Sequence, residues 1–406
     1  MIKPLWNKNF TIITIGTIVS MLGNTLSSFA LSLMVNQYTK STLAFAIYLI
    51  AYSLPRIIIT SIAGTYLDKR SRLKTIYSLD FFASFLFLFI FIFVKNGYFS
   101  YPFFLVLAMV LGSVDSIYSV AYDSLYPTLI AEGQFSKAYS ISSMIYPLAS
   151  MTLPLAVLLR DTIGIEVIFL FNSISFLVAA IFETKIKTDE SQIKSTVKEE
   201  SFINQFKSGF TYIKMNPGLM VIVAYFFTNS LLQTSVSQTL ELPYYDNNVE
   251  LGATLYSIVN LANVVGRFLG GMIHYRYKLP QHKKYNIAFS VYIIISFLHG
   301  FHLFFPKPLI VLSAFFIGLL SVTSFNIRIS STQTYVDNNY RARFNGTFQT
   351  ITTTGMIIGQ LFSGALGEIY DSRIIILVCN LIVVVMTILI VYNHRHHLKK
   401  VYNLEV

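Results

Sequence analysis

Apolar runs of about twenty residues, the length a helix needs to cross the hydrocarbon of a bilayer, recur along nearly the whole of this 406-residue chain. They fall near 10–34, 42–66, 75–94, 101–124, 138–159 and 163–182, and again near 218–240, 251–273, 286–305, 308–331, 345–367 and 373–392. Lipid offers no hydrogen bonds, so a backbone crossing it in short-looped runs must satisfy itself, as a helix does. Composition agrees. Charged residues are 12% of the chain and hydrophobic ones 54%, against about 25% charged in a soluble domain. The expected fold class is an all-α membrane protein with twelve transmembrane helices. No cleavable signal is evident, and the first run is expected to stay as a span. The single cysteine, Cys379, excludes an internal disulfide framework and reads as a small core residue.

The longest polar stretch lies between the two sets of six runs. It divides the chain into an N-terminal bundle over 1–183, a cytoplasmic linker over 184–216, a C-terminal bundle over 217–393 and a cytoplasmic tail over 394–406. Within the linker, Phe202, Phe206, Phe210 and Ile213 recur on one face of a predicted amphipathic helix lying along the membrane surface. Lysine and arginine give the orientation. With a cytoplasmic N-terminus, 22 of the 30 fall in inner segments and 5 in outer loops, a strong positive-inside asymmetry. Both termini are then cytoplasmic in a multi-pass cell membrane protein, and the net charge of +11 needs no nucleic acid.

An internal offset of 206 residues lays Gly64-Thr-Tyr-Leu-Asp-Lys-Arg70 on Gly270-Gly-Met-Ile-His-Tyr-Arg276. The same offset lays Thr128–Lys137 on Thr334–Arg343. One offset serving two separate loops reads as a duplicated six-helix unit.

The loop Gly64-Thr-Tyr-Leu-Asp68-Lys69-Arg70-Ser-Arg72-Leu-Lys74 resembles the signature of the major facilitator superfamily, with Ser71 where glycine is usual. The resemblance covers essentially the whole chain and implies two pseudo-symmetric six-helix bundles that work as a transporter. Tyr126-Pro-Thr-Leu-Ile-Ala-Glu-Gly-Gln-Phe-Ser-Lys-Ala and Gln333-Thr-Tyr-Val-Asp-Asn-Asn-Tyr-Arg-Ala-Arg-Phe-Asn-Gly346 resemble the branch of macrolide efflux proteins and enterobactin exporters. The fifth run carries Pro147 and Pro154 but no glycine, unlike many drug/proton antiporters, and the arginine common in their fourth helix is missing.

Ionisable residues inside spans are costly and usually face the protein interior. Arg56 and Asp115 each lie twelve residues from an inner loop residue, Asp68 and Pro127, roughly 18 Å at a helical rise of 1.5 Å. The pair therefore occupies one layer, where Asp115 is expected to be the only carboxylate and to bind the coupling proton or a cationic substrate. A static ion pair is the alternative. Asp68, Arg70, Arg72 and Asp123 form a candidate gating latch, and Arg267, near the inner end of the eighth run, a gate of the second half; topology-setting charges are the plainer reading.

Asn24 and Ser28 in the first run, and Tyr225, Asn229 and Gln233 at four-residue steps in the seventh, are candidate walls of a substrate cavity. Interhelical hydrogen bonding would use the same residue types. Arg328 sits toward the inner end of the tenth run, suited to an anionic substrate or to helix pairing. Glu241 is either a proton entry point or a solvated helix end. Gly355, Gly359 and Gly364 form a face for close helix approach. The segment His394-Arg-His-His397 lacks a companion carboxylate or cysteine, so it reads as a solvated tail, and no metal is expected.

The favoured function is secondary active export of a small amphipathic molecule such as a drug, macrolide-like compound or siderophore, by proton antiport and alternating access. A lipid or lysolipid translocator is the alternative within transport. No catalytic or phosphate-cradling motif occurs, which argues against a membrane-embedded enzyme; a sensor or channel is a remote reading. No cofactor is expected beyond a proton gradient. The expected partners are the small-molecule substrate and the bilayer, with no nucleic acid, and the chain is expected to act as a monomer.

Overall fold

The computed structural model describes residues 5–67, 70–131, 134–187, 202–277 and 279–404, with backbone alone for 60–66, 136, 140, 143, 202, 203 and 339. The described residues form helices and connecting turns. The first half contains α1 (Lys8–Thr39), α2 (Thr42–Leu67), α3 (Arg72–Lys95), α4 (Tyr101–Leu125), α5 (Phe135–Ser150), α6 (Leu153–Thr162) and α7 (Glu166–Glu183). The amphipathic α8 (Phe202–Met215) follows. Next come α9 (Pro217–Asn229), α10 (Ser235–Asn247), α11 (Gly252–Arg276), α12 (Lys284–Phe301), α13 (Lys307–Tyr335), α14 (Arg341–Gly367), α15 (Ser372–Met386) and α16 (Arg395–Tyr402).

Local chemistry sets these ends. Asn7 caps α1 by accepting from the Phe10 amide at 2.9 Å. Ser71 caps α3, its hydroxyl accepting from the Lys74 amide at 3.1 Å, so the residue that departs from the family signature starts a helix. The fifth predicted span is divided: α5 ends beyond Pro147, and α6 restarts with Pro154 in its first turn, where the missing N–H costs nothing. The seventh is one helical path, α9 to α10, interrupted by a π-helical turn over Ser230–Thr234.

Counting α5–α6 and α9–α10 as single paths, twelve helical stretches among the described residues are long enough to cross a bilayer. Ten are also apolar enough by composition; α11 and α14 are the more polar pair. Large apolar side chains face outward on many of them, Phe85 at 70% exposure and Val106 at 62% among them, as lipid-facing surfaces require. Inside, hydroxyls such as those of Thr17, Ser116 and Thr387 return their hydrogen to the carbonyl one turn back.

The chain divides into two compact units, Met1–Lys40 with Tyr48–Glu199, and Ser41–Ile47 with Glu200–Val406. In the first unit α7 packs against α3 and α1, and α4 packs against α3. In the second, α11 lies along α13, which also meets α12. Glycine makes that approach possible: a Cβ on Gly318 would strike the Asn263 carbonyl, and one on Gly266 the Phe315 carbonyl.

Two expectations change here. The segment after residue 394 does not remain wholly solvated. It forms α16, whose Leu398, Val401 and Tyr402 are buried, and the Tyr402 hydroxyl meets that of Tyr292 at 2.9 Å. Likewise α8 buries Gly209 and Ile213 against the second unit, with Arg343 donating to the Ser208 hydroxyl at 3.2 Å. Phe210 stays 42% exposed, and the Phe202 side chain lies outside the described set.

Candidate functional site

Four polar groupings interrupt the apolar interior, and each belongs to one unit. The first follows from a glycine. Gly112 lets α4 lie against the Tyr52 carbonyl of α2, and one turn later α4 presents Asp115. The Tyr52 hydroxyl donates to Asp115 Oδ2 at 3.3 Å. Arg56, one turn beyond Tyr52 on α2, is within electrostatic reach of Asp115 and of Asp123. The predicted neighbourhood of Arg56 and Asp115 is therefore present, with a tyrosine added. Asp123 is acted on by Arg56 instead of by the loop arginines. Arg70 is exposed and Arg72 buried; Asp68 lies outside the described residues.

Asp115 is not alone among carboxylates within the spans. Asp80 of α3 and Glu183, the last residue of α7, are 1% and 0% exposed, and they approach closely enough to share a hydrogen bond. No N–H or O–H donor reaches Asp80 Oδ2 or either oxygen of Glu183. Two carboxyl groups can bond to each other only when one carries a proton. Tyr118 of α4 is within electrostatic reach of both. An aspartate within the predicted third run was the available signal for this pair.

The second unit holds a hydrogen-bonded core around the π-helical turn. Gln233 donates to Asn380 Oδ1 at 2.7 Å and lies 3.4 Å from the Ser296 hydroxyl. Asn229 donates in turn to Gln233 Oε1. Tyr225 is 3% exposed and stacks on Tyr292 with ring centroids 4.5 Å apart. Of the predicted cavity wall, Tyr225 and Gln233 are buried, Gln233 within interhelical hydrogen bonds, and Asn229 is half-buried. In the first unit Asn24 accepts from Asn172 at 3.4 Å, while Ser28 is exposed.

Arg328 is only partly exposed, and its guanidinium lies over three rings: Phe348 at 4.7 Å, Phe226 at 5.1 Å and Phe325 at 5.4 Å. Among the described residues no carboxylate lies within ion-pair distance of it, so its charge is held by ring faces. Arg267 is exposed. Gly355, Gly359 and Gly364 sit against Phe227, the Leu231 carbonyl and Ala46, the predicted close-approach face.

Glu241 heads the fourth grouping and departs from a solvated end. Its side chain is 15% exposed, with His299 Nε2 at 3.6 Å and His302 Nε2 at 3.8 Å from Oε1. Neither histidine stood out in the sequence, being isolated within a hydrophobic run. Among the described residues no group of three or more His, Cys, Asp or Glu is arranged to hold a metal ion.

Comparison with known proteins decides the family. The sequence profile of the Major Facilitator Superfamily matches residues 13–359. The chain belongs to that superfamily. No curated protein matches it closely enough to add a relative. Among solved structures, the nucleoside transporter NupG is similar at TM-score 0.67 and 12% identity, covering 96% of this chain and 98% of that one. A bacterial homologue of the iron transporter ferroportin, inward-facing, gives TM-score 0.66 at 15% identity, covering 94% and 98%. A bacterial homolog of the human lysosomal transporter Spinster gives 0.64 at 12%, covering 98% and 99%. At these identities the likeness is one of fold. The superfamily chain is a multi-pass membrane transporter of a small-molecule substrate.

Proposed function

We propose that this superfamily member is a secondary active exporter of a small amphipathic molecule, a drug, macrolide-like compound or siderophore, driven by proton antiport through alternating access. The observation that carries the proposal is the Asp115 carboxyl on α4, bonded by the Tyr52 hydroxyl and facing Arg56. A carboxylate within a span is retained against a cost of about 2.5 to 3.5 kcal/mol, and one between a neutral donor and a cation can give up and regain a proton without leaving its place. Export rests on the likeness of the loops after α4 and α13 to macrolide efflux and enterobactin export proteins. An amphipathic substrate suits Arg328, whose charge lies among Phe226, Phe325 and Phe348. The 22-to-5 asymmetry of basic residues supports a cell membrane location with both termini cytoplasmic, and a monomer is the working state.

The test is proton release on adding macrolides, cationic dyes or siderophores to purified protein. Wild type should release protons with the true substrate class, and Asp115→Asn should bind the same compound without release. Equal release from both proteins would remove Asp115 from coupling.

A further inference from the structure

The grouping on α10 has a geometry that the reading above leaves unused. His302, 2% exposed, has Nδ1 at 2.6 Å from the carbonyl oxygen of His299. A carbonyl only accepts, so Nδ1 carries the hydrogen and a neutral His302 has a bare lone pair on Nε2. That nitrogen faces Glu241 Oε1 at 3.8 Å, and Oε1 is buried without a hydrogen-bond partner. His299 stacks on His302 with ring centroids 5.3 Å apart; its Nδ1 lies 3.3 Å from the Ser237 hydroxyl and its Nε2 3.6 Å from the same Oε1. Two imidazole nitrogens thus converge on one orphaned carboxylate oxygen, each just beyond hydrogen-bond reach. The neutral His302 ring turns a lone pair toward the anion and repels it; one added proton turns that contact attractive.

We propose that Glu241, His299 and His302 form a proton-binding site that loads and unloads in the transport cycle. The inference rests on the proton-coupled reading but places a carrier in the second unit, separate from Asp115. In the loading step a proton adds to the lone pair of His302 Nε2, and the cluster passes from a net charge of −1 to zero. Unloading returns that proton and restores the lone pair. Among the described residues, the other titratable group facing Glu241 is Tyr245 on its own helix, whose buried hydroxyl is unpartnered. Arg373 and Asp371 of α15 act instead on Tyr244 and on each other. Among the described residues no lysine or arginine lies within ion-pair distance of the carboxylate.

The full chain has seven histidines, few enough to follow individually by nitrogen NMR in nanodiscs. A pH series of the His302 resonances, assigned with His302→Gln, should differ between wild type and Glu241→Gln, while the resonances of His394, His396 and His397 are the same in both. An unchanged His302 series in folded Glu241→Gln overturns the shared site. In proteoliposomes with ethidium as probe, flux driven by an imposed pH gradient should fall at least tenfold in Glu241→Gln and in His302→Gln. A changed His302 series with full gradient-driven flux in both variants would overturn the role in transport. Wild type insensitive to the gradient, with His302 still responding to Glu241, would refute proton drive and leave the shared proton site standing.

Discussion

Gln233 and Asn380 join α15 to the π-helical turn between α9 and α10: the Gln233 amide donates to Asn380 Oδ1 at 2.7 Å, and Asn380 donates onward to the Ile376 carbonyl at 2.8 Å. Gln233→Leu strands the Asn380 oxygen in an apolar interior, at a cost of about 1 kcal/mol. Thermal unfolding in detergent should show that loss for either single leucine substitution. The double variant should lose less than the two losses combined, since neither polar partner is then left over.

Packing between α11 and α13 supplies a second prediction with its own control. Gly318→Ala forces a methyl into the backbone carbonyl of Asn263, and a helix backbone cannot yield as a side chain does. The variant should lose about 1–3 kcal/mol, read as a lower midpoint in thermal unfolding. Gly271→Ala, on α11 with open space around it, should leave the midpoint unchanged or raise it slightly.

The buried pair of Asp80 and Glu183 makes a third case. Because the pair bonds to itself only when it carries a proton, an amide in place of one carboxyl supplies a permanent donor. Glu183→Gln should therefore be neutral or stabilising, whereas Asp80→Ala, which empties the site and strands Glu183, should cost about 1–3 kcal/mol. Equal destabilisation by both would show that the pair is held as two charges.

Much of this architecture was legible in the sequence because lipid imposes a length and an apolar composition on each helix, and the runs from residue 10 to residue 392 carried both. Arg56 and Asp115 were legible for the same reason: a charge inside such a run stands out. The environment of Gln233 was less legible, because its partners Ser296 and Asn380 lie far along the chain, and no residue in Ser-Leu-Leu-Gln-Thr announces the π-helical turn. His299 and His302 escaped because their meaning comes from Glu241, some sixty residues earlier in the chain. The packing of α16 was hidden by its basic residues, which obscure the spacing of Leu398, Val401 and Tyr402.

A fourth prediction concerns acid. Within the second unit one oxygen of Glu368, Oε1, accepts from the Leu43 amide at 2.8 Å and from the hydroxyls of Ser41 at 2.7 Å and Thr42 at 3.1 Å. These bonds, the Leu43 amide first, hold its carboxyl below the usual range. A lowered carboxyl contributes fully above its unfolded value of about 4.3 and loses that contribution as pH falls through the lower folded value. Hydrogen exchange at the Leu43 amide, taken relative to the intrinsic rate at each pH, should therefore be slow at neutral pH and quicken below about pH 4. Glu368→Gln should quicken it several-fold at neutral pH; exchange indifferent to both changes would refute the tether.

The π-helical turn also fixes how this chain can tolerate gaps. Gly359 of α14 seats against the Leu231 carbonyl and Ser235, so the turn is gripped from outside while Gln233 is tied within. A π-helical turn holds one residue more than an α-helical one, so removing one residue between 230 and 234 would regularise the helix and leave the faces of α9 and α10 in register. Ser237 and Glu241 would keep their place beside the imidazoles, so the loss of one codon here would cost the grip of Gly359 and the tie of Gln233 and spare the acid seven or more positions downstream.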